Sequence, residues 1–128
     1  GLLHYFDRAE SAFVSAYRKH STAEDFEIYV EYIAAPNING KTLIITDPML
    51  ATGSSMVTVY KALQQQGKPA KIHILAAIAH PDAINFVREH LPDTTEIWVG
   101  AIDAELTAQS YIVPGMGDAG DLAYGTKL

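Results

Sequence analysis

The sequence predicts an α/β protein in which helices cover a parallel β-sheet. Three apolar runs, at residues 42–46, 71–79 and 96–99, have the composition of strands buried within such a sheet. Segments with the apolar spacing of helices follow the first two runs, at residues 54–66 and 81–90. Because strands alternate with helices along the chain, we expect parallel strands connected by helical crossovers.

The first strand and helix form the clearest unit. The strand at residues 42–46 reads TLIIT, and a loop that contains Pro48 and Gly53 follows it. Four apolar side chains then recur on one face of the predicted helix: Met56, Val57, Tyr60 and Leu63. Gly67 is a natural terminator, so we expect this helix to cover residues 54–66.

The next units repeat the same alternation. The second strand, residues 71–79, reads KIHILAAIA. Pro81 suits the first turn of a helix, because its fixed φ is helical and an N–H there would lack a partner. We expect this helix to reach about His90 and the third strand to be EIWV, at residues 96–99.

The N-terminal part predicts a β-hairpin. Residues 12–17 and 26–34 are both expected to be strands, and the second is rich in aromatic and β-branched side chains. The polar residues 19–25 would connect them, and residues 35–40 would form another loop. Residues 1–6 are apolar enough to be the end of a helix.

The bulk composition limits the function. The chain is 48% hydrophobic and 19% charged, and it has no cysteine, which excludes disulfides and thiolate metal sites. No signal peptide is visible, and no apolar run approaches the roughly 18 residues of a membrane span. A net charge of −6 argues against nonspecific binding to nucleic acid. It does not argue against a small anion, because backbone amides bind phosphate.

The segment DPMLATGSS, residues 47–55, is the most informative part of the chain. It joins the carboxyl end of a predicted buried strand to a helix, where ligands of open α/β sheets bind. Its small residues allow a phosphate to approach the backbone, and the helix offers amides and a positive dipole end. Asp47 could accept hydrogen bonds from sugar hydroxyls. The alternative is structural, with Ser54 or Ser55 capping the helix and Gly53 serving a tight turn.

The string IITDPMLATGSS, residues 44–55, resembles the phosphoribosyl-pyrophosphate (PRPP) loop of type I phosphoribosyltransferases, in particular the uracil-specific branch. In that branch P-M-L-A-T-G follows the aspartate. Pro48 stands where most other type I enzymes carry a second acid, and Ser54 stands where the branch usually has glycine. The resemblance implies that PRPP is bound by Asp47, Pro48, Met49, Leu50, Ala51, Thr52, Gly53, Ser54 and Ser55.

A second string, YIVPGMGDAGD at residues 111–121 with GTK at 125–127, resembles the C-terminal signature of uracil phosphoribosyltransferases. We expect this glycine-rich tail, residues 111–128, to be irregular and to match the edge of a base with backbone N–H and C=O groups. A flexible terminus is the alternative for such a sequence. The resemblance implies that uracil is bound by Ile112, Gly117, Asp118 and Ala119, and that Asp118 also reaches PRPP.

Arg18 is the third residue that the resemblance singles out. The string Ala16-Tyr17-Arg18 resembles the strand end that carries a pyrophosphate-binding arginine in the family, and a guanidinium suits a diphosphate because it donates in a fork. The family implies that uracil and PRPP give UMP and diphosphate, in pyrimidine salvage, with Asp47 and Arg18 as catalytic residues. Magnesium is expected to bind mainly through the diphosphate substrate, without a separate protein metal site.

The resemblance also bears on the extent of the protein. Members of the family carry a longer N-terminal region, and Gly1 falls inside their pattern. We therefore expect residues 1–128 to form a single domain without its N-terminal part, inactive or nearly so by itself. A cytoplasmic homodimer or larger homo-oligomer, with no bound nucleic acid or membrane, is implied as well.

Two other interpretations are open at this point. Asp47, at the end of a buried strand, resembles the phosphoacceptor of a signalling receiver module, although the acidic pair and the lysine of such modules are not found at suitable places. The other interpretation is a phosphoribosyltransferase-like regulator that binds a nucleotide or RNA without catalysis. The acidic net charge and the intact uracil-type tail argue against it. The histidines show no metal-ligand spacing, and we interpret His80 as a loop residue.

Overall fold

A computed structural model of the chain describes residues 1–20 and 26–125, with the backbone alone for residues 16–20 and 26–29. The chain begins with a short helix, α1 (Leu2–Tyr5), as expected for residues 1–6. Strands β1 (Phe13–His20) and β2 (Phe26–Ala34) then pair antiparallel, which confirms the predicted hairpin. Strand β1 continues past residue 17, and the rest of the predicted connection, 21–25, lies outside the described residues.

The three apolar runs form one parallel sheet, as predicted. Its strands are β3 (Thr42–Leu50), β4 (Lys71–Ala79) and β5 (Glu96–Ile102), in that spatial order. Helix α2 (Ser54–Leu63), which ends in a 3₁₀ turn (Gln64–Gln66), connects the first two strands, and α3 (Pro81–His90) connects the last two. The boundaries of β2, β4 and α3 are those predicted from the sequence.

Strand β3 is longer than predicted. The expected strand ended at residue 46, whereas β3 includes the Asp47–Pro48 pair and ends at Leu50. Proline lacks the N–H of a ladder hydrogen bond, so it is tolerated where a strand has a free edge. Among the described strands β3 pairs with β4 alone, and the paired positions pass from Asp47 directly to Met49. The free edge thus accommodates Pro48, and residues 47–50, which we expected in the loop, belong to the strand.

The expectation of an irregular tail holds for residues 114–118, which form turns, but the tail also contains two short regular elements. Strands β6 (Glu105–Leu106) and β7 (Ile112–Val113) pair antiparallel, and helix α4 (Ala119–Tyr124) follows them. Thr107 closes the connection between the strands, since its N–H donates to the carbonyl of Tyr111 and its hydroxyl accepts from the Tyr111 N–H at 3.1 Å. Such side-chain-to-backbone bonds stabilise turns that apolar periodicity does not reveal.

The core lies between the sheet and the two longer helices. Helix α2 packs against α3 and against the hairpin, and Ile74, Ala83 and Val87 are fully buried among them. Two residues of β5 lie outside this core: Trp98 and Ile102 keep 58% and 56% of their surface exposed. Within the described residues no helix is both long and apolar enough to cross a membrane.

Candidate functional site

The predicted site lies along the carboxyl edge of the parallel sheet. Strand β3 leads through Ala51, Thr52 and Gly53 into α2, β4 leads through His80 into α3, and β5 leads into the segment before the tail. In parallel strands these ends meet at one edge, which is where open α/β sheets bind ligands. The topology therefore brings the loop of residues 47–55 to a ligand-binding position.

The loop has an internal hydrogen-bond pattern that shapes it. The Asp47 carboxylate accepts from the Met49 N–H at 3.0 Å, and the hydroxyls of Thr52 and Ser54 lie 2.8 Å apart. Gly53 is the N-cap of α2, so the alternative in which Ser54 or Ser55 caps the helix is wrong. Because glycine has no side-chain acceptor, the first amides of α2 remain available to an anion.

Gly53 is also required by packing. Its φ of +79° is left-handed, and a Cβ there would lie 2.9 Å from the Ala83 carbonyl oxygen and 3.1 Å from a Val87 methyl carbon. The start of α2 thus touches the backbone of α3. The tight-turn interpretation of this glycine is confirmed, and its close contact with a second helix could not be inferred from the local pattern.

Two cavities adjoin the loop. The smaller, of about 30 Å³, is lined by residues of the loop itself and by Met56 of α2. The larger, of about 680 Å³, lies between β3, α2 and the segment before β1. Its volume falls within the roughly 300–1,000 Å³ of small-molecule sites. Both cavities are lined by Asp47 and Ser55, so the predicted phosphate loop borders a space of ligand size.

The tail residues form a separate group. Ile112 is 3% exposed in β7, Gly117 is exposed, and Ala119 begins α4. Asp118 caps α4, since its Oδ1 accepts from the Asp121 N–H at 2.9 Å and its Oδ2 from the Tyr111 hydroxyl at 3.4 Å. Neither cavity is lined by these residues, so the structure gathers them with one another and not directly with the loop.

Contacts at the end of β4 connect the two groups. The Asp103 N–H donates to the Ala79 carbonyl at 3.1 Å, and the Asp103 carboxylate accepts from the Gly115 N–H at 3.0 Å. Gly115 has a φ of +53°, and a Cβ there would lie 2.0 Å from the Ile112 carbonyl oxygen. The glycine-rich loop is thereby attached to the sheet edge through Asp103.

His80 is a residue whose role sequence reasoning missed. It lies in the connection between β4 and α3, as expected of a loop histidine, but it is 8% exposed and caps α3. The signal was present in the string His80-Pro81-Asp82, since a side-chain acceptor directly before a proline at the first helical position is a helix start. Its contact with Ala104, across 24 positions of sequence, carries no such signal.

The remaining predictions concern Arg18 and the metal. Arg18 lies in β1 opposite Ile28, but its side chain lies outside the described part of the structure. Among the described residues, no three histidine or carboxylate side chains are grouped so as to hold a metal ion. The carboxylate that the loop itself offers is Asp47, which lines the small cavity together with Thr52 and Ser55.

Comparison with known proteins gives a consistent result. A family model described as uracil phosphoribosyltransferase matches residues 1–126. A uracil phosphoribosyltransferase of Porphyromonas gingivalis is 58% identical over 128 residues, which is 100% of this chain and 59% of that protein. One of Methanococcus maripaludis is 44% identical over 126 residues, which covers 98% of this chain and 53% of that protein.

Structural comparison agrees with the sequence matches. A solved structure of a protein from Aquifex aeolicus superposes with a TM-score of 0.86 at 32% identity, over 98% of this chain and 58% of that one. The chain thus spans between about half and three-fifths of the length of these relatives. The predicted fold class, a parallel sheet with flanking helices, is confirmed.

Proposed function

Because this chain belongs to the uracil phosphoribosyltransferase family, we propose that the complete protein carrying it converts uracil and PRPP to UMP and diphosphate, a step of pyrimidine salvage. The observation that carries the proposal is the DPMLATGSS loop at the carboxyl end of a parallel strand, beside a cavity of about 680 Å³. The receiver-module interpretation is excluded by the family assignment.

The loop is proposed to hold PRPP. Residues Thr52 to Ser55 suit the 5′-phosphate, because the uncapped first turn of α2 and two hydroxyls supply donors for it. Asp47 suits the ribose hydroxyls, since a carboxylate is an acceptor with two oxygens. The PRPP-binding set also takes in the strand positions Pro48, Met49 and Leu50 and the loop residue Ala51, together with Arg18 for the pyrophosphate and Asp118 from the tail.

The tail is proposed to hold uracil through Ile112, Gly117, Asp118 and Ala119. The side chain of Ile112 is buried, so its contribution would come from its backbone groups. Asp118 already accepts two hydrogen bonds within the tail. These bonds keep its carboxylate in place and support a role in orienting the loop that carries the base.

The chemistry follows from charge. The diphosphate leaves with its electron pair and the bond from the anomeric carbon to the base nitrogen forms, with the base proton lost to solvent. The sugar gains oxocarbenium character as the bond breaks, so a fixed carboxylate at Asp47 would stabilise the transition state. The protein otherwise positions two reactants, which by itself lowers the barrier substantially.

Magnesium is proposed as the cofactor. Asp47, Thr52 and Ser55, which line the small cavity together, would fit a hard cation that keeps most of its ligands on substrate oxygens and water. When bound, the cation would supply positive charge to the diphosphate oxygens.

The state of the protein in the cell belongs to the same proposal. We propose one domain that contains residues 1–128 and extends N-terminal to them, in keeping with a chain that spans 59% of a relative. Without that extension the chain would have little activity. A cytoplasmic homodimer or larger assembly, without nucleic acid or membrane, is supported by the family resemblance, and the exposed Trp98 and Ile102 offer apolar surface for association.

The experiment is a UMP-forming assay on the complete protein with Asp47→Asn and, as control, Asp93→Asn. Asparagine still accepts from the Met49 N–H, so the substitution removes the charge and keeps the loop bond. We expect kcat to fall by about 10²-fold for Asp47→Asn and to stay unchanged for the exposed Asp93. An inactive wild type would refute the proposed function, and a fully active Asp47→Asn would remove this residue from it. An RNA titration at several salt concentrations tests the regulator alternative.

A further inference from the structure

His80 lies where three parts of the fold meet. It follows β4, begins α3 and contacts the segment that leads from β5 to the tail. Apart from Tyr60, it is the one buried residue with a polar side chain among the residues that the structure describes. A polar group that is withdrawn from water needs hydrogen-bond partners, so its contacts show what holds it there.

Both ring nitrogens of His80 have a partner. Nδ1 accepts from the Asp82 N–H at 3.2 Å, and Nε2 lies 3.2 Å from the Ala104 carbonyl oxygen. A carbonyl only accepts and a backbone N–H only donates, so these two contacts fit an imidazole that carries a proton on Nε2, while the Asp82 carboxylate lies farther from Nδ1, at 3.7 Å. One ring nitrogen therefore caps a helix while the other donates to a residue 24 positions away.

The contact with Ala104 places His80 between the loop at residues 47–55 and the start of the tail. Ala104 follows Asp103, whose carboxylate holds the Gly115 N–H at 3.0 Å. On the other side, the backbone N–H of His80 donates to the Leu50 carbonyl at 2.9 Å, which belongs to the phosphate loop. His80 thus touches the loop through its backbone and the root of the tail through its side chain.

We propose that His80 is a positioning residue for base binding: by donating from Nε2 to Ala104, it sets the tail, and with it the segment Gly117–Ala119, relative to the phosphate loop. The inference rests on the proposed function, because it takes the tail as the base site. His80 is not a catalytic residue, since it acts through the backbone of Ala104.

The two ring contacts can be separated by substitution. His80→Asn places an acceptor near the position of Nδ1 and keeps the cap of α3, but it has no donor that reaches Ala104. His80→Gln places an amide near the position of Nε2 and keeps that donor, but it removes the cap. His90, at the other end of the same helix and exposed, supplies the matched control His90→Asn.

The variants are compared in the complete protein by steady-state kinetics and thermal unfolding. For His80→Asn we expect the KM for uracil to rise about fivefold, the effect of one neutral hydrogen bond, with the KM for PRPP and the Tm unchanged. For His80→Gln we expect a fall in Tm of about 3 °C and a KM for uracil close to that of the wild type. His90→Asn should change neither KM.

Hydrogen exchange provides a reading that does not depend on activity. His80→Asn should speed exchange of backbone amides in residues 104–117, whereas His80→Gln should speed it at the start of α3. An unchanged KM for uracil in an active His80→Asn enzyme, or equal rises in both KM values with a lower Tm, would overturn the inference. If the wild type forms no UMP, the proposed function fails, and the exchange pattern alone decides whether His80 positions the tail.

Discussion

Replacing Gly53 with alanine tests the contact between the phosphate loop and α3. Two separate costs are expected. The left-handed φ of +79° is unfavourable for any residue with a Cβ, at about 1 kcal/mol. The added methyl would also lie 2.9 Å from the Ala83 carbonyl oxygen, a backbone atom that cannot turn away as a side chain could.

The second cost has the size of an overpacked core. Forcing a methyl against a packed helix costs about 1–3 kcal/mol. Together the two effects predict that Gly53→Ala lowers the free energy of unfolding by about 2–4 kcal/mol. This is a large part of the stability of an ordinary domain, which is about 5–15 kcal/mol.

Gly40→Ala is the matched control. Its φ is +71°, and a Cβ there would meet nothing within 4 Å, so it carries the conformational cost without the contact. The change in the unfolded chain, from glycine to alanine, is the same in both variants and cancels in the comparison. We expect Gly40→Ala to cost about 1 kcal/mol.

Urea unfolding of the complete protein at 25 °C measures both variants. The difference between them should be about 1–3 kcal/mol. Equal losses would show that the approach of α2 to α3 contributes nothing, and the packing explanation for Gly53 would then be wrong. Because the contact lies at the first turn of α2, the KM for PRPP should also rise in Gly53→Ala and remain unchanged in Gly40→Ala.

Three further outcomes are expected. Asp103→Ala should raise the KM for uracil about fivefold by releasing the Gly115 amide. Asp103→Asn should keep the wild-type KM, because its amide oxygen still accepts from that N–H. Equal KM values for the two variants would contradict this role. Ile74→Ala should cost about 2–5 kcal/mol in urea unfolding, since Ile74 is 0% exposed, whereas Leu122→Ala, at 74% exposed, should change stability by less than about 0.5 kcal/mol. Chelation of divalent cations should abolish UMP formation without changing the Tm, and added magnesium should restore it.

Local sequence pattern was sufficient for most of the secondary structure. Strand β4 and helix α3 begin and end where apolar runs and the proline start signal placed them. These signals act over a few residues, through strand composition, helical spacing and the geometry of Pro81. The DPMLATGSS string and the tail likewise indicated their family directly, because such strings are short and contiguous.

Long-range contacts were needed for the rest. Strand β3 extends through Pro48 because β4 offers pairing positions as far as Ala79. Local strand propensity cannot predict this pairing. The tail adopts β7 and α4 because Thr107 and Asp118 supply hydrogen bonds that favour one backbone path.

His80 and Gly53 show the same division at the site. Their neighbours in sequence predict a helix cap and a tight turn, and the structure has both. Their long-range contacts depend on the tertiary structure. Gly53 contacts α3 because α3 packs beside α2, and His80 contacts Ala104 because the chain returns from β5 to the edge of the sheet. The chain could therefore be recognised as a member of its family from contiguous residues. The connection between the loop at residues 47–55 and the C-terminal tail exists only in three dimensions, because it depends on residues that folding alone brings together.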